Sequence, residues 1–204
     1  MIMDLKSSPT LTGDSIQLEL ISNQHREGLC HAANHEQIWQ YMPQKATKDS
    51  FNPWFEDCLH KMQSGEQITY VVRNKTCQTI LGATAYYNIQ LNNRCLALGY
   101  SWFVPDAWGS TANPESKLLM LMQAFDCWNV NRIEIGTDSR NTHSYNAIKK
   151  LGATEEGVLR QHMILQDNEI TDTIMFSILS IEWPEIKKKL MMRLTSGYVH
   201  HHLK

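Results

Sequence analysis

Two periodicities of hydrophobic residues divide the first part of the chain into strands and helices. Hydrophobic and polar residues alternate strictly across residues 16–20, which predicts a strand with one buried face. After Ser50, hydrophobic residues recur three and four positions apart as far as Met62, which predicts an amphipathic helix. Apolar segments at residues 68–73 and 80–90 are separated by polar turn residues, and this arrangement predicts a β-hairpin.

The second part of the chain predicts a strand, a loop, a helix, another strand and another helix. The first strand is predicted at residues 96–104, and Asn113 followed by Pro114 predicts the start of a helix after the loop. A strand at residues 132–138 precedes a helix whose apolar residues recur at helical spacing. An antiparallel pair of strands at 155–165 and 171–179 and a terminal helix at 182–194 complete the predicted elements. This order predicts one mixed α/β domain.

Composition narrows the class of protein. The 204 residues fit one domain, and the formal net charge of -2 without a basic block argues against a nucleic-acid surface that relies on bulk electrostatics. The chain has no run of about 18 apolar residues, and its N-terminus does not resemble a signal peptide. Its five cysteines are scattered without CxxC spacing, which argues against disulfides and a zinc site. We therefore expect a cytoplasmic protein without metal or membrane contact, and no metal role for the histidines at 200–202.

The loop before Asn113 has the features of an anion-binding site. The first backbone N–H groups of a helix have no intrahelical partner and carry the positive end of the helix dipole. Gly109 permits close approach of a ligand to the backbone, and Ser110 and Thr111 add hydroxyl donors. The loop therefore predicts an enzyme with a pyrophosphate-containing cofactor, although a capped helix after an ordinary turn has the same local sequence.

An ordered set of short motifs resembles the GNAT superfamily of acyl-CoA-dependent N-acetyltransferases, within it the ribosomal-protein N-terminal (alanine/serine) acetyltransferase branch. The matching residues are Gly99-Tyr100, Trp108-Gly109, Asn113, Glu115, Lys117, Arg132, Asn141, Ser144, Leu151-Gly152-Ala153, Glu156-Gly157, Arg160, His162 and Glu182-Trp183. The resemblance implies a mostly antiparallel twisted sheet of about seven strands flanked by helices. It covers a domain at residues 11–190, with an extension at 1–10 and a tail at 191–204, and implies a monomer or homodimer.

The resemblance also implies which residues bind acetyl-CoA. Backbone groups of Phe103 and Val104 would pair with the pantetheine amides, and the pyrophosphate would lie on the 108–113 loop: Trp108, Gly109, Ser110, Thr111, Ala112 and Asn113. Asn141 and Ser144 would hydrogen-bond the cofactor, or they would serve only as a helix cap and a hydroxyl bonded to its own helix. The loop departs from the family pattern, since Thr111 and Asn113 stand where two glycines are usual. Glu115 is expected to point outward or to pair with Lys117 or Arg140.

Two catalytic groups common in relatives are absent from this sequence. Ile148 stands where many members have a tyrosine that protonates the departing thiolate, so Ser144 is the predicted substitute. Ala97 stands where relatives have a glutamate that serves as base. Tyr100 and His162 remain as candidate proton relays, because histidine titrates near neutral pH; a structural role for His162 is the alternative.

The missing base favours a weakly basic acceptor. An α-amino group has a pKa of about 7.7–8.0 and a lysine about 10.4, so deprotonating lysine costs about 3.3 kcal/mol more. A protein N-terminus is therefore the predicted acceptor, with Arg160 and Trp54 as candidate contacts to it. A solvated strand arginine and a tryptophan that fills the core are the alternatives for these two residues. Three alternatives remain open: acetylation of a small-molecule amine such as a polyamine or aminoglycoside, use of a longer acyl-CoA, and a non-catalytic CoA-binding module.

Overall fold

An eight-stranded sheet with the order β1-β2-β3-β4-β5-β6-β8-β7 forms the centre of the computed structural model, which describes residues 8–201 and side chains as far as residue 195. Only β5 and β6 run parallel; every other neighbouring pair is antiparallel. The strands are β1 Leu11–Thr12, β2 Ile16–Leu20, β3 Gln67–Asn74, β4 Ile80–Gln90, β5 Cys95–Phe103, β6 Arg132–Asp138, β7 Thr154–Ile164 and β8 Ile170–Leu179. The mixed, mostly antiparallel fold predicted from the sequence is confirmed, with eight strands rather than about seven.

Five helices cover the two faces of the sheet. They are α1 Arg26–Ala33, α2 Phe51–Ser64, α3 Ala112–Met122, α4 Thr142–Leu151 and α5 Trp183–His201, joined by short helical turns. Apolar residues of α3, α4 and α5, such as Leu121, Leu151 and Leu190, pack in one core with the sheet residues Leu98 and Ile133. Residues of α1 and α2 form a second core on the opposite face, together with Trp39 and Trp102. Both faces of the sheet are therefore buried.

The sheet opens between its two parallel strands. Strands β5 and β6 pair at only three positions, from Cys95 opposite Arg132 to Ala97 opposite Glu134, and then separate. Their remaining residues, 98–103 and 135–138, have no partner across this gap. The separation leaves backbone groups along both strands without a sheet partner, which is the setting in which a ligand can take the place of a strand.

The ends of two helices differ from the sequence prediction. Helix α3 begins at Ala112 with Thr111 as its N-cap, two residues earlier than the predicted cap at Asn113. A proline in the third helical position costs no hydrogen bond, since the first four N–H groups of a helix have no internal partner. Helix α5 continues to His201, beyond the predicted end at residue 194. Residues 1–7 of the predicted extension and 202–204 of the predicted tail lie outside the described residues.

Candidate functional site

A cleft of about 820 Å³ occupies the gap between β5 and β6. Its walls come from both strands, the start of α3, one side of α4 and the β7–β8 pair. Its lining includes Gly99, Tyr100, Ser101, Phe103, Trp108, Gly109, Ser110, Asn113, Lys117, Glu134, Ser144, Ile148, Lys150, His162 and Arg193. The structure thus brings together most of the site residues predicted from the sequence.

A β-bulge in β5 lies at the edge of the gap. The pairing of β4 with β5 shifts by one residue between Ala83 and Ala85, and Tyr100 has a positive φ of 47°. Such a bulge adds an unpaired residue and re-aims the strand. The ring of Tyr100 lies 4.4 Å from that of Tyr87, and burial raises the pKa of Tyr100. The Tyr100 hydroxyl therefore stays protonated at neutral pH and can donate a proton.

The loop after β5 presents a row of backbone donors. Within the described residues, the amides of Gly109, Thr111 and Asn113 make no hydrogen bond, whereas that of Ala112 is bonded to the Ser110 hydroxyl. Gly109 has a φ of +77°, a conformation that favours glycine, and a side chain there would meet no other atom. Alternate free amides before a helix N-terminus form a concave anion site. The loop therefore offers three free amides to a ligand at the start of α3.

Several side chains of the loop make contacts within the protein instead of facing the cleft. The Ser110 hydroxyl donates to the Ala107 carbonyl at 2.6 Å, so it stabilises the turn. Neither Thr111 nor Ala112 lines the cleft, and Ala112 is buried in the core. Asn113 does line the cleft, and its side-chain oxygen is buried without a hydrogen-bond partner in the described structure. A buried acceptor without a donor is costly, so this oxygen is available for a ligand donor.

The predicted backbone contacts of β5 are only partly possible. The Val104 amide donates to the Leu81 carbonyl at 2.7 Å, and Val104 does not line the cleft. In an antiparallel pair, the backbone N–H and C=O groups of successive residues point alternately toward and away from the partner strand. Since the Val104 amide points toward β4, the backbone N–H and C=O of Phe103 point away from β4, into the gap. The Phe103 carbonyl accepts from the Trp108 indole at 2.8 Å. The prediction for Val104 is therefore wrong, and for Phe103 the amide N–H is the available group.

The first turn of α4 separates the roles of two polar residues. The Asn141 side-chain oxygen accepts from the Ser144 amide at 2.9 Å, and Asn141 does not line the cleft. Asn141 is thus a helix cap, as the structural alternative predicts, and its proposed contact with the cofactor stays a prediction. Ser144 lines the cleft, and its hydroxyl makes no hydrogen bond to any described residue. The alternative, a serine bonded to its own helix, does not occur.

Of the other predicted residues, one lines this cleft and two do not. His162 lines it, and its Nδ1 lies 3.0 Å from the Thr173 hydroxyl. Trp54 lines a smaller neighbouring pocket of about 120 Å³, whose wall includes Tyr100. Arg160 is exposed on β7 and lines neither space. Tyr100 lines both spaces and therefore connects them, and the prediction of an acceptor contact by Arg160 has no support in this geometry.

Three charged residues have positions that the sequence did not predict. Glu115 is buried and accepts from the Ser15 amide at 3.0 Å, so it neither points outward nor pairs with Lys117 or Arg140. Glu134 lies opposite Ala97 in the parallel register, on the cleft wall, and accepts from Arg132 at 3.1 Å. Lys117 extends from α3 to hydroxyls on β4 and β5. Only the pairing of strands brings Glu134 beside Ala97, so sequence spacing could not reveal it.

The described residues contain no cluster of histidine, cysteine or carboxylate side chains that could hold a metal ion. Likewise, no helix within the described range is both long and apolar enough to cross a membrane.

The chain is similar in sequence and in fold to known acetyltransferases. The family described as "Acetyltransferase (GNAT) domain" matches residues 16–154. The structure of a GCN5-related N-acetyltransferase from Brucella melitensis is 26% identical in sequence and has a TM-score of 0.84. The match covers 91% of this chain and 85% of the other. Ribosomal-protein-S5-alanine acetyltransferase from Vibrio fischeri is 17% identical over 86% and 99% of the two chains, with a TM-score of 0.72. Mycobacterium smegmatis RimJ in complex with CoA-disulfide is 16% identical over 87% and 88%, with a TM-score of 0.76. These last two likenesses concern the fold.

Proposed function

The chain belongs to the GNAT acetyltransferase family and is an acetyltransferase, and we propose that it transfers the acetyl group of acetyl-CoA to the α-amino group of a polypeptide N-terminus. The observation that carries this proposal is the combination of an opened pair of strands with three unpaired amides at the adjoining helix start. Two solved structures of similar fold, the ribosomal-protein-S5-alanine acetyltransferase and RimJ with CoA-disulfide, support both the acceptor class and the donor.

The cleft fits acetyl-CoA by the chemistry of its free groups. The amides of Gly109 and Asn113, two residues that line the cleft, would bind the pyrophosphate, with the unpaired Thr111 amide between them and the dipole of α3 behind them. The Phe103 amide would donate to a carbonyl of the pantetheine arm in the gap. The unpartnered side-chain oxygen of Asn113 would accept from an N–H or O–H group of the same ligand. Ala97, Gly99 and Gly136 on the cleft wall have a small side chain or none, so they leave room for a ligand in the gap.

The transfer needs no covalent enzyme intermediate. The acceptor nitrogen attacks the thioester carbonyl carbon, a C–N bond forms, and the C–S bond breaks to release the CoA thiolate. The free hydroxyl of Ser144 is proposed to donate a hydrogen bond to that thiolate, since Ile148 cannot. The protonated Tyr100 hydroxyl is proposed to supply its proton, and His162, held by Thr173, to accept the proton that the amine loses.

The cleft offers no unpaired carboxylate at Ala97 or Glu134 to remove a proton from the acceptor, which favours an amine of low pKa. Ala97 offers no carboxylate, and Glu134 in the adjacent register is held by Arg132. At pH 7 about one α-amine in ten is neutral, against fewer than about one lysine in a thousand. The protein is therefore proposed to use the small neutral fraction of an N-terminal amine, which needs little help from a base.

A panel of acceptors tests the proposed function. We expect free-thiol release from acetyl-CoA with peptides that have a free α-amine. Release should be about two hundredfold slower with N-terminally blocked peptides that have a lysine, because the deprotonation cost of about 3.3 kcal/mol corresponds to roughly that factor. Turnover only with polyamines or aminoglycosides would move the acceptor to small molecules. CoA binding without turnover on any amine would contradict the proposal and favour a non-catalytic module. Propionyl- and butyryl-CoA in the same assay test the acyl chain length.

A basic pair on the cleft wall predicts the site of the 3′-phosphate of CoA. Arg193 of α5 lines the cleft with Lys150 of α4 and donates to the Lys150 carbonyl at 3.3 Å. We expect Arg193→Ala to raise the KM for acetyl-CoA by about tenfold, because a charge-assisted hydrogen bond contributes roughly 1.5–3 kcal/mol. Acetyl-dephospho-CoA, which lacks this phosphate, is the matched control, and its KM should not change. An equal rise for both donors would place the 3′-phosphate elsewhere.

A further inference from the structure

Lys117 reaches from α3 to the strands beneath it without a carboxylate partner among the described residues. Its Nζ donates to the Thr84 hydroxyl at 3.2 Å and, more closely, to the Ser101 hydroxyl. The side chain is half-buried on the cleft wall, and burial lowers the pKa of Lys117 to about 7. An amine in such a place costs stability, and an apolar side chain of similar length would avoid that cost. Stability alone therefore does not explain its position.

The bonds that Lys117 makes continue to the bulge of β5. An ammonium group only donates, so both hydroxyls accept from Nζ. The Thr84 and Ser101 oxygens are 2.7 Å apart, and the Ser101 hydroxyl donates to the Gly99 carbonyl at 3.2 Å. This last bond spans Tyr100, the residue with positive φ. The chain from Lys117 through Ser101 therefore ends on the backbone of the bulge.

The same lysine lies on the helix that follows the anion-binding loop. Lys117 is four residues after Asn113, so both occupy one face of α3, and both line the cleft. The start of α3 would hold the pyrophosphate, and the bulge borders the gap that would hold the thioester. Lys117 therefore makes a direct polar connection between the two ends of the donor site.

We propose that Lys117 is a positioning residue for acetyl transfer: through Ser101 it fixes the backbone of residues 99–101 against α3, so that the bulge faces the thioester when the pyrophosphate is on the loop. This proposal rests on the proposed function for its kinetic consequence. It does not depend on which amine accepts the acetyl group, because all of its residues lie on the donor side.

Lys117→Met and Ser101→Ala test this role together. A displacement of a reacting group by about 1 Å can lower the rate on the order of a hundredfold. We expect each single variant to lower kcat by about 10- to 100-fold with the best acceptor of the panel, and to change the KM for acetyl-CoA by less than about threefold. The double variant should be no slower than the slower single variant, because both changes break one connection. Lys187→Met, at a partly exposed lysine that pairs with Asp126 and does not line the cleft, is the control.

Hydrogen exchange supplies a readout that needs no acceptor. In Lys117→Met the amides of the segment 98–103 should exchange faster than in the unaltered protein, while β3 and α2 keep their protection. Unchanged exchange of this segment, unchanged kcat, or a double variant whose losses multiply would each overturn the proposal. If no amine is acetylated at all, the proposed function fails, and the exchange result still decides whether Lys117 holds the bulge.

Discussion

Replacing Asn113 by aspartate is expected to raise the KM for acetyl-CoA by about a hundredfold or more. The Asn113 side-chain oxygen is buried on the cleft wall beside the free amides of the loop. A carboxylate in this place would face the pyrophosphate, and two like charges about 4 Å apart repel by about 4 kcal/mol at the dielectric of a protein surface. The substitution keeps the shape of the side chain. An acidic residue in the first turn of a helix also interacts favourably with its dipole, so the fold should be retained.

The donor substrate supplies the control for this prediction. S-acetyl-pantetheine has the thioester and the pantetheine arm but no pyrophosphate, and its KM should be nearly the same for Asn113→Asp and the unaltered enzyme. Asn113→Leu, which removes the oxygen without adding charge, should raise the KM for acetyl-CoA far less than the aspartate does. If both donors lost affinity equally in Asn113→Asp, the phosphates would not lie on this loop, and steady-state kinetics with the two donors would show it.

The sequence predicted best what depends on local backbone chemistry. The anion-binding loop was predictable because Gly109 and a helix start follow a strand directly, and the structure has free amides at these positions. The sequence also allowed Asn141 to be the N-cap of α4, and the structure has this cap. The start of α3 was two residues off, because Pro114 is tolerated at several positions of a first turn. The strand β1 has only two residues, too few to show any period.

The parts of the site that the sequence did not predict depend on pairing between distant segments. Val104 is unavailable because the register of β4 and β5 turns its amide toward Leu81. Glu115 is buried because the turn near Ser15 offers its amide and hydroxyl as partners, about one hundred residues away in the chain. The connection from Lys117 to Gly99 joins a helix with two strands. None of these contacts has a period or a spacing in the sequence, so only the folded structure reveals them.

Lys117→Met is expected to make the protein more stable at neutral pH, by an amount that shrinks as the pH rises. Burial lowers the pKa of Lys117 to about 7 from the ordinary lysine value of 10.5. Between these two values the unfolded chain binds one more proton than the folded one, so the stability of the unaltered protein rises with pH in this window. The full difference of 3.5 pKa values corresponds to about 4.8 kcal/mol. Because the side chain is only half-buried, we expect about 2–4 kcal/mol.

Urea unfolding of both proteins from pH 6 to pH 10 measures this difference directly. The other titrating groups are the same in the two proteins, so they largely cancel in the difference of the two free energies of unfolding. That difference should be constant below about pH 7 and should fall steadily toward pH 10, since the methionine variant lacks the proton that the unfolded lysine binds. A difference independent of pH would mean that Lys117 titrates alike in both states. A variant that is more stable at pH 7 yet slower in acetyl transfer would show that Lys117 lowers the free energy of unfolding while it raises the rate of the reaction.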